Sequence, residues 1–96
     1  MNTKSEILKK LNEIKPILQR EYSVKNIGLF GSFADETFNA ESDIDLLVEL
    51  ERPIGWKLLT LEIFLEKVFS RKIDLVTKNA LKAPLNKFIL NQVQYI

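Results

Sequence analysis

Two aspartates, Asp43 and Asp45, stand at the start of an apolar run in this 96-residue sequence, in the segment DIDLLV. If that run is a β-strand, side chains two residues apart point to the same face of a sheet. Two carboxylates held so close raise each other's pKa unless a cation compensates. Ligand sets made only of oxygen select hard ions, so the spacing predicts a site for Mg²⁺, with Mn²⁺ as an alternative.

A third aspartate, Asp74, lies in a similar apolar segment, KIDLV. If the two segments form neighbouring strands, Asp74 lies beside Asp45 and three carboxylates converge at one end of a sheet. That cluster suits two-metal phosphoryl transfer, in which one ion holds a triphosphate and the other activates the attacking oxygen. The alternative is strand-end aspartates that face water, the common case for an isolated Asp-x-Asp. The third aspartate favours the metal site, because burying unpaired acids costs several kcal/mol.

The pair Gly31-Ser32 follows a predicted strand directly and precedes Asp43 by ten intervening residues. Glycine permits a tight turn and lets a phosphate approach the backbone closely. Ser32 offers a hydroxyl and an N–H to phosphate oxygens, more so if it opens a helix. Alone the pair would be an ordinary turn. Together with the aspartates it predicts a phosphate cradle beside a metal site.

The remaining sequence predicts alternating helices and strands. Apolar spacing predicts a helix over residues 3–22, capped by Thr3 or Ser5, with a kink or a second short helix from Pro16. Further helices are predicted over 56–70 and 84–92, strands over 24–30, 44–50 and 72–77, and an edge strand or a packed tail over 93–96. The predicted fold is α/β (α+β), a small mixed sheet of three to four strands with helices packed on it, in one domain spanning 1–96.

Composition narrows the function classes. The sequence has no histidine and no cysteine, so its chemistry runs without an imidazole base, a thiolate or cysteine-ligated zinc. The formal net charge of +1 argues against direct nucleic-acid binding. The N-terminal segment is too polar for a signal peptide, and no apolar run approaches membrane-spanning length. These features predict a cytoplasmic protein with no membrane contact.

The motifs together resemble a known family. Gly-Ser, ten residues, Asp-x-Asp and a third aspartate on a later strand are the signature of polymerase-β-like nucleotidyltransferases. Essentially the whole chain is similar to the minimal nucleotidyltransferases (MNT) of bacteria and archaea. The segments that carry this resemblance are 28–34, 42–49, 71–77, 81–85 and 94–96. The resemblance implies a polymerase-β-like palm fold.

The resemblance also implies a function. MNT proteins are the antitoxin halves of HEPN/MNT toxin–antitoxin pairs, and they transfer AMP from ATP to a tyrosine of the HEPN RNase, releasing pyrophosphate. In the family, aspartates matching Asp43, Asp45 and Asp74 bind two Mg²⁺ ions and carry catalysis. The glycine and serine matching Gly31 and Ser32 hold the nucleotide phosphates.

One departure leaves alternatives open. Many members carry a basic residue and a glycine where this chain has Asp35-Glu36. Added negative charge near a triphosphate would weaken nucleotide binding unless it points away, so a catalytically weak or inactive antitoxin that neutralises by binding alone is the first alternative. A nucleotidyltransferase acting on a small molecule or on tRNA is the second, disfavoured by small size and near-neutral charge.

The short chain leaves no helical domain to close such a site, so a partner or a second copy is expected to form the opposite wall, in a hetero-oligomer or a homo-oligomer. The predicted contact residues are Phe33, Phe38, Ile54 and Trp56. Aromatic side chains often anchor interfaces. For Trp56, a role in packing its helix on the sheet is expected as often as a role in an interface.

Overall fold

The computed structural model describes residues 3–81 and 85–96, and the backbone alone of Leu85. Its α-helices are α1 (Lys4–Tyr22), α2 (Ser32–Asp35), α3 (Lys57–Phe69) and α4 (Leu85–Gln92), and a 3₁₀ turn covers Lys78–Ala80. Its strands are β1 (Val24–Phe30), β2 (Ile44–Leu50), β3 (Ile73–Thr77) and β4 (Gln94–Tyr95).

Helix α1 begins at a capping box. The Thr3 hydroxyl accepts a hydrogen bond from the Glu6 N–H at 3.2 Å, and the Thr3 N–H donates to the Glu6 carboxylate at 3.3 Å. Both bonds satisfy donors that a helix start leaves without intrahelical partners. The helix runs through Pro16 as one element, so the prediction of a second helix there was wrong. It ends at Ser23, whose φ of 56° turns the chain into β1.

The four strands form one mixed sheet in the order β3-β2-β1-β4. β1 is antiparallel to both β2 and β4, whereas β2 and β3 are parallel. The C-terminal segment adds the edge strand, one of the two predicted outcomes. It approaches β1 at Gly28, where an added Cβ would lie 2.6 Å from Val93 Cγ2. Only glycine leaves room for β4 there.

Helices cover the two faces of the sheet unequally. Helices α1 and α3 pack on one face over the main core, whose fully buried members are Ile7, Leu11, Leu18, Ile27, Leu29, Phe33, Ile44, Leu46, Val48, Leu61, Leu65 and Ile73. The opposite face carries a smaller cluster in which Ile89 of α4 packs on Phe30 and Leu47. We call this second face the α4 face. α4 is the helix that packs on this face, whereas two helices cover the other.

The fold prediction is confirmed as helices packed on a small mixed sheet. Strands β1 and β2 have the predicted bounds, β3 begins one residue later than predicted, and α3 is one residue shorter than predicted at each end. Helix α2 and the 3₁₀ turn were not predicted, and Pro84, the predicted start of the last helix, lies outside the described residues. No helix among the described residues is long and apolar enough to cross a membrane.

Candidate active site

Asp45 and Asp74 are direct cross-strand neighbours on the α4 face. β2 buries Ile44, Leu46 and Val48 in the main core, so its alternate residues, beginning with Asp45, point to the α4 face. The parallel pairing of β2 with β3 sets Asp45 opposite Asp74. Asp45 is half-buried and Asp74 is exposed. The strand register therefore holds two carboxylates side by side.

The glycine-serine turn lies at the same end of the sheet. β2 and β3 both begin there because they are parallel, and antiparallel β1 ends there, with Phe30 paired to Asp45. Gly31 and Ser32 follow Phe30 at once. Asp43, half-buried, precedes β2 by one residue at this end too. The structure thus brings all five predicted site residues to one end of the α4 face.

Position 31 requires a glycine, both because of its backbone conformation and because Asp45 lies against it. Its φ of 75° and ψ of −155° fall in a region that is essentially closed to other residues. A Cβ at Gly31 would collide with the Asp45 side chain, meeting Oδ2 first and lying 2.9 Å from Cγ. The missing side chain is therefore what allows the Asp45 carboxylate to lie against the turn.

Ser32 opens the single-turn helix α2, for which Gly31 is the N-cap. The N–H groups in the first turn of a helix have no intrahelical acceptor. The Ala34 and Asp35 N–H groups donate to the Gly31 carbonyl at 3.1 and 3.2 Å, which leaves the Ser32 and Phe33 N–H groups available to phosphate oxygens at the turn. Because α2 is only four residues long, these donors rather than a helix macrodipole supply the attraction for an anion.

The electrostatics of the site centre on Asp45. Burial, the charge of Asp74, a hydrogen bond with Asp74 and the charge of Asp43 together raise the pKa of Asp45 to about 6. A hydrogen bond between two carboxyl groups forms only while one of them keeps its proton. The site therefore favours a bound proton or a cation over a full set of negative charges.

The donor set fits a hard divalent cation in chemistry, although the metal site is not preformed. Among residues 3–81 and 85–96, no group of three or more histidine, cysteine, aspartate or glutamate side chains already surrounds a metal position. Asp45 and Asp74 face each other, with Asp43 close enough to act on Asp45 through its charge. Carboxylate oxygens are the ligands that Mg²⁺ prefers.

Arg71 anchors the loop that leads into Asp43. One guanidinium nitrogen donates to the Ser42 carbonyl at 2.6 Å and to the Ala40 carbonyl at 3.1 Å. The same guanidinium lies 5.3 Å from the centre of the Phe33 ring. Arg71 thereby connects the entry of β3 to the turn before β2. The sequence motif included Arg71, but its spacing gave no reason to assign it this role.

Asp35, the unusual acid after the turn, is fully hydrogen-bonded. Its Oδ1 accepts from the Thr37 hydroxyl at 2.6 Å and from the Thr37 N–H at 3.1 Å, and these bonds lower the pKa of Asp35. Its Oδ2 accepts from the Gln92 amide at 3.2 Å. The Gln92 carbonyl oxygen in turn accepts from the Gly31 N–H at 3.3 Å. Gln92 was absent from the sequence predictions, since no motif marks it.

The predicted partner-contact residues differ in how far they are exposed: Phe33 is buried, Phe38 and Ile54 are half-buried, and Trp56 is exposed. Phe33 is fully buried and stacks on Phe38 with ring centres 4.3 Å apart, so its prediction as an exposed contact was wrong. It packs in the core because α2 turns it inward. Trp56 is 88% exposed, so it does not pack its helix on the sheet.

A cavity of about 390 Å³ lies at the opposite end of the sheet, beyond the ends of β2 and β3. Leu50, Ile54 and Leu58 line it together with Glu49 and Lys78. Glu49 shares the α4 face with Asp45, but it bonds to Asn26 at 2.8 Å and not to the aspartate cluster. None of the predicted site residues borders this cavity, so the carboxylate cluster and the cavity are separate features.

Comparison with known proteins agrees with this geometry. The family model described as the nucleotidyltransferase domain matches residues 11–96. A protein of Methanocaldococcus jannaschii, provisionally named a protein adenylyltransferase, is 42% identical over 98 aligned residues that cover all of both chains. Protein adenylyltransferase MntA of Thermococcus cleftensis is 36% identical, over all of this chain and 98% of its own.

Solved structures share the fold. One described provisionally as a minimal nucleotidyltransferase superposes with a TM-score of 0.82 and 22% identity, over 96% of this chain and 94% of the other. A chain from the complex of tri-AMPylated Shewanella oneidensis HEPN toxin with MNT antitoxin gives a TM-score of 0.67 and 21% identity, over 91% of this chain and 68% of the other. The fold is that of the minimal nucleotidyltransferases.

Proposed function

The chain belongs to the nucleotidyltransferase domain family, in the group that includes the protein adenylyltransferases, and we propose that it is the antitoxin of a HEPN/MNT toxin–antitoxin pair. In this proposal it moves AMP from ATP to a tyrosine of the HEPN partner in the cytoplasm. The observation that carries the proposal is the juxtaposition of Asp45 with both Asp74 and the Gly31 turn. It brings the proposed metal ligands and the proposed phosphate-binding turn to one sheet end.

The proposed reaction is a displacement at phosphorus. The tyrosine oxygen forms a bond to the α-phosphorus of ATP while the bond from that phosphorus to the α,β-bridging oxygen breaks. Pyrophosphate leaves with the electron pair, and the tyrosine proton passes to a base. No covalent enzyme intermediate is needed, which agrees with a site built from carboxylates.

Each site residue has a proposed role. Asp43, Asp45 and Asp74 would hold Mg²⁺, which when bound neutralises charge on the phosphates and activates the attacking oxygen. Asp74 is the exposed member of the cluster, so we assign it the place nearest the incoming tyrosine and the role of proton acceptor. The turn at Gly31 and Ser32 would hold the nucleotide phosphates through the Ser32 N–H and hydroxyl, with Gly31 allowing their close approach, since the Gly31 N–H already donates to Gln92.

The contacts of Asp35 favour an active enzyme over an antitoxin that acts by binding alone. Both oxygens of its carboxylate already accept hydrogen bonds, from Thr37 and from Gln92. These three neutral donors leave the carboxylate its charge but fix the direction in which it points. The unusual acid at this position therefore does not by itself argue against ATP binding.

The proposal is tested by incubating the protein with α-³²P-labelled ATP, Mg²⁺ and the product of the neighbouring gene. We expect label on a tyrosine of the partner, and no label with Asp45→Asn. Glu49→Gln is the matched control, because it neutralises a carboxylate on the same strand and face at the far end of the sheet. It should retain transfer.

Two other results would contradict the proposal. A stable complex without label would favour an antitoxin that acts by binding alone. Label on tRNA or on an added small-molecule acceptor, with none on the partner, would favour the second alternative. Measuring complex formation alongside labelling separates these outcomes from loss of folding.

A further inference from the structure

Gln92 connects two features of the site from which it lies far away in the sequence. It is the last residue of α4, and its side-chain amide bonds on one side to the Gly31 N–H and on the other to the Asp35 carboxylate. The amide therefore stands between the phosphate-binding turn and the acid that departs from the family pattern. An amide suits this place because its oxygen accepts while its nitrogen donates.

From this bridge we propose that Gln92 is a positioning residue for the nucleotide, which holds Asp35 away from the phosphates and fixes the Gly31 turn. The inference rests on the proposed function, since it concerns the ATP site. Thr37 engages one oxygen of Asp35, and Gln92 supplies the donor for the other. Without the amide, the second oxygen of Asp35 is left beside the turn where the triphosphate binds.

Charge explains why this contact affects binding more than folding. Like charges a few ångströms apart repel appreciably even near a protein surface. The uncharged Gln92 amide bonds to both the Gly31 turn and Asp35, so it would lie between the acid and a triphosphate held at that turn. Removing the amide lets the carboxylate rotate toward the ligand, and replacing it by glutamate adds a second negative charge at the same place. Both changes should weaken ATP binding.

The effect of Gln92 should depend on the charge of Asp35. Gln92→Ala is expected to weaken binding of AMP-PNP with Mg²⁺ about three- to tenfold, the range for losing one partly exposed charge-assisted hydrogen bond. Asp35→Asn in the same background should restore most of that affinity, because no charge is then left to repel the ligand. Gln92→Glu should bind more weakly than Gln92→Ala.

The experiment is a double-mutant cycle measured by isothermal titration calorimetry on the full chain, with AMP-PNP and Mg²⁺. The variants are Gln92→Ala, Asp35→Asn, their combination and Gln92→Glu. Asn91→Ala, an exposed polar residue in the same turn of α4, is the matched control and should bind as the wild type does. Thermal unfolding of each variant shows whether it is folded.

Restored affinity in the double variant supports the inference. Equal affinity of wild type and Gln92→Ala, or a folded double variant as weak as Gln92→Ala, overturns it while leaving the proposed function intact. If the wild-type protein binds no AMP-PNP, both the inference and the proposed function fail together.

Discussion

Replacing Gly31 by alanine should be far more damaging than an ordinary glycine-to-alanine change. An alanine there must adopt φ and ψ values that only glycine takes easily, at a cost of about 2 kcal/mol. Its Cβ also collides with the Asp45 carboxylate, and overpacking of this kind costs about 2 kcal/mol more. The expected loss in the free energy of unfolding is therefore about 4 kcal/mol, a large part of the total stability of a small domain.

A double-mutant cycle separates the two contributions. In an Asp45→Ala background the carboxylate is gone, so Gly31→Ala should cost only the backbone term of about 2 kcal/mol. Gly55→Ala is the matched control, since Gly55 also has a positive φ, 56°, but no atom within 4 Å of the added Cβ. It should cost about 1–2 kcal/mol.

The assay is urea unfolding of the wild type, the three variants of the cycle and the Gly55 control in EDTA, followed by circular dichroism. Folded Gly31→Ala protein should also lose AMP transfer, because Asp45 must move to make room. An equal cost of Gly31→Ala in both backgrounds would show that Gly31 and Asp45 are not packed together. A cost below that of Gly55→Ala would refute the backbone argument as well.

Three further predictions follow from the same contacts. In metal-free protein the raised pKa of Asp45 favours its protonated form in the fold, so this stabilisation is present below about pH 4 and is lost as the pH rises to about 6. After allowing for partial exposure, the free energy of unfolding measured in urea titrations should fall by about 1–2 kcal/mol over that range. The fall should be smaller in Asp45→Asn, and Mg²⁺ should restore the lost stability of the wild type at pH 7. Arg71→Ala should weaken Mg²⁺-dependent transfer by about tenfold, since Asp43 loses its anchored loop, whereas Arg52→Ala, at the other end of the sheet, should not. Gly28→Ala should destabilise the protein by about 1–3 kcal/mol and expose the β1 amides to hydrogen exchange, because β4 must move away.

The sequence predicted the pairing of Asp45 with Asp74 because strand geometry is regular. A period of two residues places Asp43 and Asp45 on one face, and the echo of that pattern at Asp74 indicated a neighbouring strand. Parallel pairing then aligns Asp45 with Asp74 without any further information. The same regularity gave β1 and β2 their predicted bounds.

The contacts of Gln92, Arg71 and Phe33 could not be predicted in the same way. Gln92 reaches Gly31 across 61 residues of sequence, and that contact depends on where α4 ends over the sheet. Phe33 looked like an exposed loop residue because the acidic segment around it shows no period. A single helical turn at 32–35 buries it, and four residues are too few for periodicity to reveal.

The most direct test of the central claim is the mass of the partner protein after incubation with this chain, ATP and Mg²⁺. We expect the intact mass to rise by one or more AMP groups, which peptide mapping places on tyrosine. The Asp74→Asn variant should still bind the partner but should not raise its mass. An unchanged mass in a wild-type complex that is stable and binds ATP would contradict that claim.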